Sequence, residues 1–325
     1  MFGTSTFPAA RYQLEFVTEQ AIQLPDYAGS ALRGAFGHAL RRAACVTGAP
    51  ECTNCPLYRS CAYPAIFEGP PPLQPTRHKL TSLPLPFVVE PPRWGECQYR
   101  QGDPLRFNVV LIGPALAHLP LVLMAWRQAL LGGLGPQCGT ARLHRVLLEG
   151  DDDPLWASGG ALTPALRPRA HKAEVTLPVA AETGTSLATT AQETATLVFE
   201  TPLRLQSNGR VIGIGELTPS DLLMALLRRV ANLVELQLGG TLDLDFSALK
   251  AKAATIRGHS DLVWQDWTRH SSRQRQHMVL GGAMGRWTLH GELTPFWPLL
   301  YLGQWLHVGK NTTFGLGRYR LEEPS

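Results

Sequence analysis

The sharpest chemical signal in this 325-residue chain is a run of four cysteines, Cys45, Cys52, Cys55 and Cys61, spaced Cys-x6-Cys-x2-Cys-x5-Cys. The amino terminus, MFGTSTFPAARYQLEF, lacks the basic-then-apolar layout of a secretory leader, which places the chain in the cytoplasm as an expectation. Cytoplasmic thiols stay reduced, so four cysteines this close read as a metal site before a disulfide framework. Thiolates suit either zinc or an iron–sulfur centre. Sulfur at every position leaves none open for water or substrate, so the metal is expected to be structural. Cys97 and Cys138 stand apart and read as ordinary thiols.

Structural zinc usually takes two paired knuckles, and here only Cys52–Cys55 makes one. The 6-2-5 spacing, with Pro50 before the pair and Pro56-Leu57 after it, resembles the 4Fe–4S loop of helix-hairpin-helix DNA glycosylases. Nothing else in the chain resembles those enzymes, so only the loop carries over. Zinc and a 4Fe–4S cluster both stay open.

Three further groups of residues could do chemistry on an anionic polymer. Arg33, His38, Arg41 and Arg42 lie on one stretch with helical period, residues 27–43. On a 100° wheel Leu32, Phe36, Ala39, Leu40 and Ala43 share the apolar face, which leaves His38 and the arginines elsewhere. A histidine there suits proton transfer near neutral pH, and flanking cations suit a phosphate; a solvated surface histidine is the plain alternative. The second group is TRHSSRQRQHM, residues 268–278, after Trp264 and Trp267. On an extended strand Arg269, Ser271, Arg273 and Arg275 would share a face. Cations beside aromatic platforms are what single-stranded nucleic acid needs, although a solvated edge strand has the same composition.

The third group closes the chain. His307 and Val308 lead into Gly309-Lys310-Asn311-Thr312-Thr313-Phe314-Gly315-Leu316-Gly317-Arg318. Glycines at 309, 315 and 317 allow positive φ and close approach, and successive amides in such a loop can form an anion-binding nest. Lys310, Arg318 and Arg320 set cations beside it. A glycine-rich turn before a last strand is the plain reading.

These groups need a frame, and the chain has the length for two domains of ordinary size. The apolar fraction of 44% supports a substantial core, and no apolar run is long enough to span a membrane. Net charge is only +4, but of 30 basic residues five are lysines (79, 172, 250, 252 and 310) and 25 are arginines. Arginine forks onto phosphate and stacks on bases better than lysine does, although a GC-rich genome gives the same excess.

Periodicity predicts a strand over 11–19, the helix 27–43, strands over 86–91 and 104–113, a helix over 113–131 and a strand over 140–150. A cysteine insert (45–67) and a Pro-rich connector interrupt the first helix-to-strand passage. Residues 151–193 read as irregular linker, with a possible strand over 171–179. The pattern then repeats: a strand over 194–206, a helix over 218–238 with Thr218 or Ser220 as N-cap, and strands over 262–280 and 286–293 joined by GGAMG. A helix from about 294 and a final strand complete it. Strand, helix, strand, strand, helix, strand is the ferredoxin-like unit, so the expected architecture is α+β: tandem ferredoxin-like domains over 1–150 and 194–325 with a four-Cys metal-binding insert.

Taken together, the tandem order, the helix start Gly29-Ser30-Ala31-Leu32-Arg33-Gly34 and above all the loop 309–318 resemble the CRISPR precursor-RNA processing endoribonucleases of the RAMP superfamily, the sixth-numbered Cas family. The four-cysteine insert departs from the simplest members. The resemblance covers nearly the whole chain. It implies metal-independent cleavage of CRISPR repeat RNA into crRNA, by attack of a ribose 2′-OH that leaves a 2′,3′-cyclic phosphate and a 5′-OH. The family's catalytic histidine, carried over, falls on His38; His307, directly before the glycine loop, is the rival. Lys310 and Arg273 are the cations implied for charge stabilisation. Arg33, Arg41, Arg42, Arg269, Arg273, Gly309, Gly315, Gly317 and Arg318 are implied to hold RNA. Other Cas effector subunits are possible partners and a membrane is not. A non-catalytic crRNA-binding RAMP subunit of an effector complex is the alternative.

Overall fold

The computed structural model describes residues 6–72, 83–159, 175–176, 193–240, 242, 244–271 and 276–322. Two compact units result, one of Pro8–Glu174 with Leu236–Gly239, the other of Met1–Phe7, Val175–Glu235 and Gly240–Ser325. The sequence boundaries differ from these at one place in particular: Thr6–Phe7 pairs antiparallel with Val175–Thr176 and so joins the second unit. Of the strand expected over 171–179, Val175–Thr176 is present and the remainder lies outside the described residues.

The first unit runs β1 (Ala9–Thr18), α1 (Gly29–Ala44), β2 (Phe87–Glu90), β3 (Pro104–Ile112), α2 (Leu119–Leu131), β4 (Ala141–Leu148) and β5 (Trp156–Ala157). Its sheet is antiparallel in the order β2-β3-β1-β4-β5. Alternation on β1 gives this sheet its two faces. Tyr12, Leu14 and Phe16 point to one face and are fully buried, while Arg11, Gln13 and Glu15 point to the other. Helices α1 and α2 cover the apolar face. Phe36 of α1 stacks on Trp126 of α2 with centroids 4.8 Å apart, and Trp126 meets Phe107 of β3 at 4.7 Å. Each fully buried ring or aliphatic side chain there contributes roughly 1.5–3 kcal/mol relative to exposure. The predicted face of α1 is buried at Leu32, Phe36, Ala39 and Leu40; Ala43 is half-buried, and Gly37 is buried because the Phe67 ring occupies the space of a side chain. The helix expected over 113–131 begins as a 3-10 turn, Gly113–His118, because Pro120 suits the first turn of a helix and not its interior.

On the polar face Glu15 accepts from Arg106 Nε at 2.9 Å and from Arg145 Nη2 at 3.0 Å. Arg11 pairs with Glu90 at 3.0 Å and with Glu149.

The second unit runs β6 (Thr194–Leu203), α3 (Pro219–Gln237), α4 (Phe246–Thr255), β7 (Arg257–Ser271), β8 (Gln276–His290), α5 (Trp297–Leu306) and β9 (Tyr319–Glu322). Its sheet order, β7-β8-β6-β9, repeats the β2-β3-β1-β4 order of the first unit, which has β5 as an extra edge strand. Thr218 caps α3: Asp221 N donates to Thr218 Oγ1 at 3.2 Å and Thr218 N to Asp221 Oδ2 at 3.1 Å. Gly303 lets α5 lie against Leu226 of α3 and Tyr319 of β9, whose hydroxyl donates to the Leu300 carbonyl at 2.6 Å.

Two sequence expectations are corrected here. Residues 262–280 are not one strand: β7 ends at Ser271 and β8 begins at Gln276, paired in register from Arg257–His290 to Ser271–Gln276. GGAMG is not the turn but part of β8, where Gly282 passes close to the Leu203 carbonyl and Gly285 takes φ +121° beside Asp261. Glycine there serves strand-to-strand approach. The short helix α4, capped by Asp245 accepting from Ala248 N at 2.9 Å, has no counterpart in the sequence reading, because its apolar positions are too few to show a stripe. No described helix is long and apolar enough to cross a membrane.

Candidate nucleic-acid interface

The four α1 side chains part company. His38 is exposed, and so is Arg42, one turn on at i+4. Gly34, one turn back, has nothing within 4 Å of a would-be side chain, so the surface beside His38 is open. A histidine bordered by open space on one side and a cation on the other can take a proton from a group bound at a phosphate. Arg33 instead lies over the Phe67 ring, 4.3 Å from its centroid. Arg41 donates from Nη2 to the carbonyls of Ala49 and Pro50, both at 2.7 Å. Both were expected to hold RNA; packing and carbonyl bonds engage them because each sits where α1 meets the cysteine insert.

The glycine loop is pinned inward. Gly309, Gly315 and Gly317 have φ of 94°, 93° and 72°. A side chain on Gly309 would stand 2.5 Å from the Arg204 carbonyl, and one on Gly317 would collide with the Val308 carbonyl. Lys310 N donates to Arg204 O at 2.9 Å, Val308 N to Gly317 O at 3.1 Å, Gly317 N to Pro202 O at 3.0 Å and Arg318 N to Thr201 Oγ1 at 2.9 Å. Phe314 and Gly315 close back on Asn311 and Thr312. Five amides of the expected nest, and that of Val308 before it, are thus spent inside the protein, and Gly315 and Gly317 are buried. Satisfying buried amides takes precedence over leaving them free for an anion.

His307 is fully buried, at φ 57°, with Nδ1 donating to the Leu316 carbonyl at 3.2 Å. That geometry makes it a clip within the loop, away from solvent, which corrects its reading as a proton acceptor for RNA. Arg229 of α3 is buried nearby in the fold and donates from Nε to the Leu306 carbonyl at 2.6 Å, which caps the end of α5. Burial draws its guanidinium down to about 10. Arg318 pairs with Glu200 at 3.0 Å. Lys310 is half-exposed, and no described carboxylate pairs with it, so its ammonium is the loop's available cation.

The β7–β8 hairpin splits the two tryptophans. Trp267 is 9% exposed and meets Phe314 of the glycine loop edge-on at 6.2 Å. Trp264 is 37% exposed beside Val263 at 65%, with Nε1 donating to Asp266 Oδ1 at 2.8 Å. Three residues apart on β7, the two rings face oppositely. Trp264 is therefore the ring a base can reach. Arg273 lies outside the described residues, as does the side chain of Arg269.

Arg204 is a residue the sequence reading missed. Its carbonyl takes the Lys310 amide, its Nη1 donates to Gly281 O at 2.7 Å, and it bridges in parallel to Gly309. One residue thus ties the loop to the hairpin strand β8. Nothing in PLRLQ marks it, because its partners are backbone atoms distant in sequence.

The four insert cysteines are free thiols, and all line one pocket with Val46, Leu57 and Tyr63. No three His, Cys, Asp or Glu side chains among the described residues are gathered closely enough to share one metal ion.

An N-terminal domain model, AF_1859_N, matches residues 7–168, and a CRISPR-associated endoribonuclease Cas6 model matches residues 197–319. No curated protein matches by sequence. Among solved structures, a Cas6 (TTHB231) product complex superposes with TM-score 0.58 at 19% identity, over 97% of this chain and 100% of that one. Thermus thermophilus Cas6 (TTHB231) gives 0.53 at 16%, over 98% and 100%. A partial Cas6-RT-Cas1–Cas2 complex gives 0.58 at 16%, over 99% of this chain and 47% of that one. At these identities the superpositions show a shared fold.

Proposed function

We propose that this chain, a Cas6-family CRISPR-associated endoribonuclease by its residues 197–319, cuts CRISPR repeat RNA with His38 as general base. The observation that carries the assignment is the exposure of His38 beside Arg42 and open Gly34 on α1, against the burial of His307. His38 takes the proton of the ribose 2′-OH; the 2′-oxygen bonds to the adjacent phosphorus as the bond from phosphorus to the 5′-oxygen breaks. The products are a 2′,3′-cyclic phosphate and a 5′-OH, the latter taking one proton from solvent. General-base catalysis of this kind contributes about 10²–10⁴-fold. Arg42, fixed one turn away, offsets charge that develops on the phosphoryl oxygens, and Lys310 holds RNA backbone from the second unit. No step needs a metal ion.

Support for this reading is the family match and the repeated strand–helix–strand–strand–helix–strand order, which we take as tandem ferredoxin-like RAMP domains. We place the enzyme in the cytoplasm, with crRNA retained for other Cas subunits. The test is incubation of repeat RNA in EDTA with wild type and His38→Ala. Wild type cuts and leaves a cyclic phosphate; His38→Ala binds the same RNA and cuts it at least about 100-fold more slowly. An intact substrate with wild type would overturn the enzyme assignment in favour of a crRNA-binding subunit. An unchanged rate with His38→Ala would remove the base from α1.

A further inference from the structure

We infer that Cys45, Cys52, Cys55 and Cys61 carry a 4Fe–4S cluster, not a single zinc ion. All four side chains line the same pocket, on the insert that leaves the end of α1, while Cys97 and Cys138 lie outside it. One tetrahedral zinc with bonds of about 2.3 Å would bring its four sulfurs to within about 3.8 Å of one another. The insert offers only one Cys-x2-Cys knuckle, Cys52–Cys55, where structural zinc usually takes two. In a cubane cluster each thiolate takes a different iron, so the sulfurs stand around a larger body. Four thiols lining one common space is the arrangement that body requires.

The surroundings match. Val46, Leu57, Tyr63 and Pro64 give the pocket an apolar lining; Tyr63 and Pro64 are buried, and the four cysteines are half-buried. Cys45 Sγ lies 3.9 Å from Thr47 Oγ1, and Thr47 Oγ1 lies 3.3 Å from Cys55 Sγ. Such hydrogen bonds disperse thiolate charge and tune a cluster's potential. Gly48, at φ 65°, makes a turn between Cys45 and Cys52. The Arg41 bonds to the Ala49 and Pro50 carbonyls then fix the segment between Cys45 and Cys52 to α1. The cluster is a brace for that helix and is independent of the cleavage assignment.

The test is anaerobic purification of the full chain with iron, sulfide and zinc analysis. The expected result is a brown protein with a broad absorbance band near about 400 nm and roughly four irons and four sulfides per chain. Cys52→Ser and Cys55→Ser lose the band, and Cys138→Ser keeps it. Should the insert variants fail to fold, wild-type apo-protein incubated with ferric iron, a thiol reductant and sulfide regains the band. A colourless protein with one zinc per chain, or an iron-free one that does not take up iron and sulfide, overturns the inference.

Discussion

His307 Nδ1 donates to the carbonyl oxygen of Leu316 across 3.2 Å, with the imidazole fully buried. Nine residues apart, the two close the glycine loop on itself, and the Val308–Gly317 bond at 3.1 Å runs beside them. His307→Ala is expected to lower unfolding free energy by about 1–3 kcal/mol, since the Leu316 carbonyl loses its buried partner. Cleavage by the folded fraction should persist. Denaturant midpoints with single-turnover assays separate the two, and a folded variant with no cleavage would return His307 to the chemistry.

Gly317→Ala forces a side chain into the Val308 carbonyl at φ 72°. A destabilisation of about 1–3 kcal/mol is expected from the strained backbone alone, with more from the collision. Gly315→Val, at φ 93° in a buried position, should follow it and lose stability before RNA affinity. Thermal unfolding of both variants, with RNA binding below the transition, checks the order.

Trp264→Ala removes an exposed ring. If a base stacks there, RNA affinity falls roughly 5- to 150-fold, the range for one stacked base at about 1–3 kcal/mol. The melting temperature should barely move. Trp267→Ala reverses the pattern, because its ring packs on Phe314. Fluorescence anisotropy with labelled repeat RNA and thermal scans of the two variants decide it.

Arg41 and Arg42 are neighbours in sequence with separate tasks. Arg42→Ala should weaken RNA binding and lower the salt slope by about one, as loss of a phosphate contact does. Arg41→Ala should leave that slope alone and speed amide exchange between residues 45 and 61, whose carbonyls it holds. Equal slopes for both variants would show that the Arg41 bonds yield to RNA.

Glu15 carries an acid dependence. Burial alone would raise its pKa, but hydrogen bonds and charge from Arg106 and Arg145 outweigh it and hold the carboxyl below its ordinary value. A folded pKa below the unfolded one stabilises above the ordinary carboxylate range, and that stability is lost as pH falls through the folded value. With Arg106 50% and Arg145 41% exposed, screening limits the effect to on the order of 1 kcal/mol. The advantage of wild type over Glu15→Gln should therefore be present at neutral pH and vanish in strong acid, in paired denaturation curves.

The sequence by itself determined the element order and the cast of reactive residues. Alternation in Tyr12, Leu14 and Phe16 and the period of Leu32, Phe36 and Leu40 reflect burial on one face, which local spacing records. Spacing also set the four cysteines apart from Cys97 and Cys138. Tertiary structure decided which polar groups remain free to act. Arg41 and Arg42, or Trp264 and Trp267, differ only in what packs beside them. The glycine loop's amides are spent on Thr201, Pro202 and Arg204, more than 100 residues earlier in the chain. A hydrogen bond to a distant backbone carbonyl leaves no pattern in the side chains, so His307 could be read from sequence as a base and only the fold shows it as a clip.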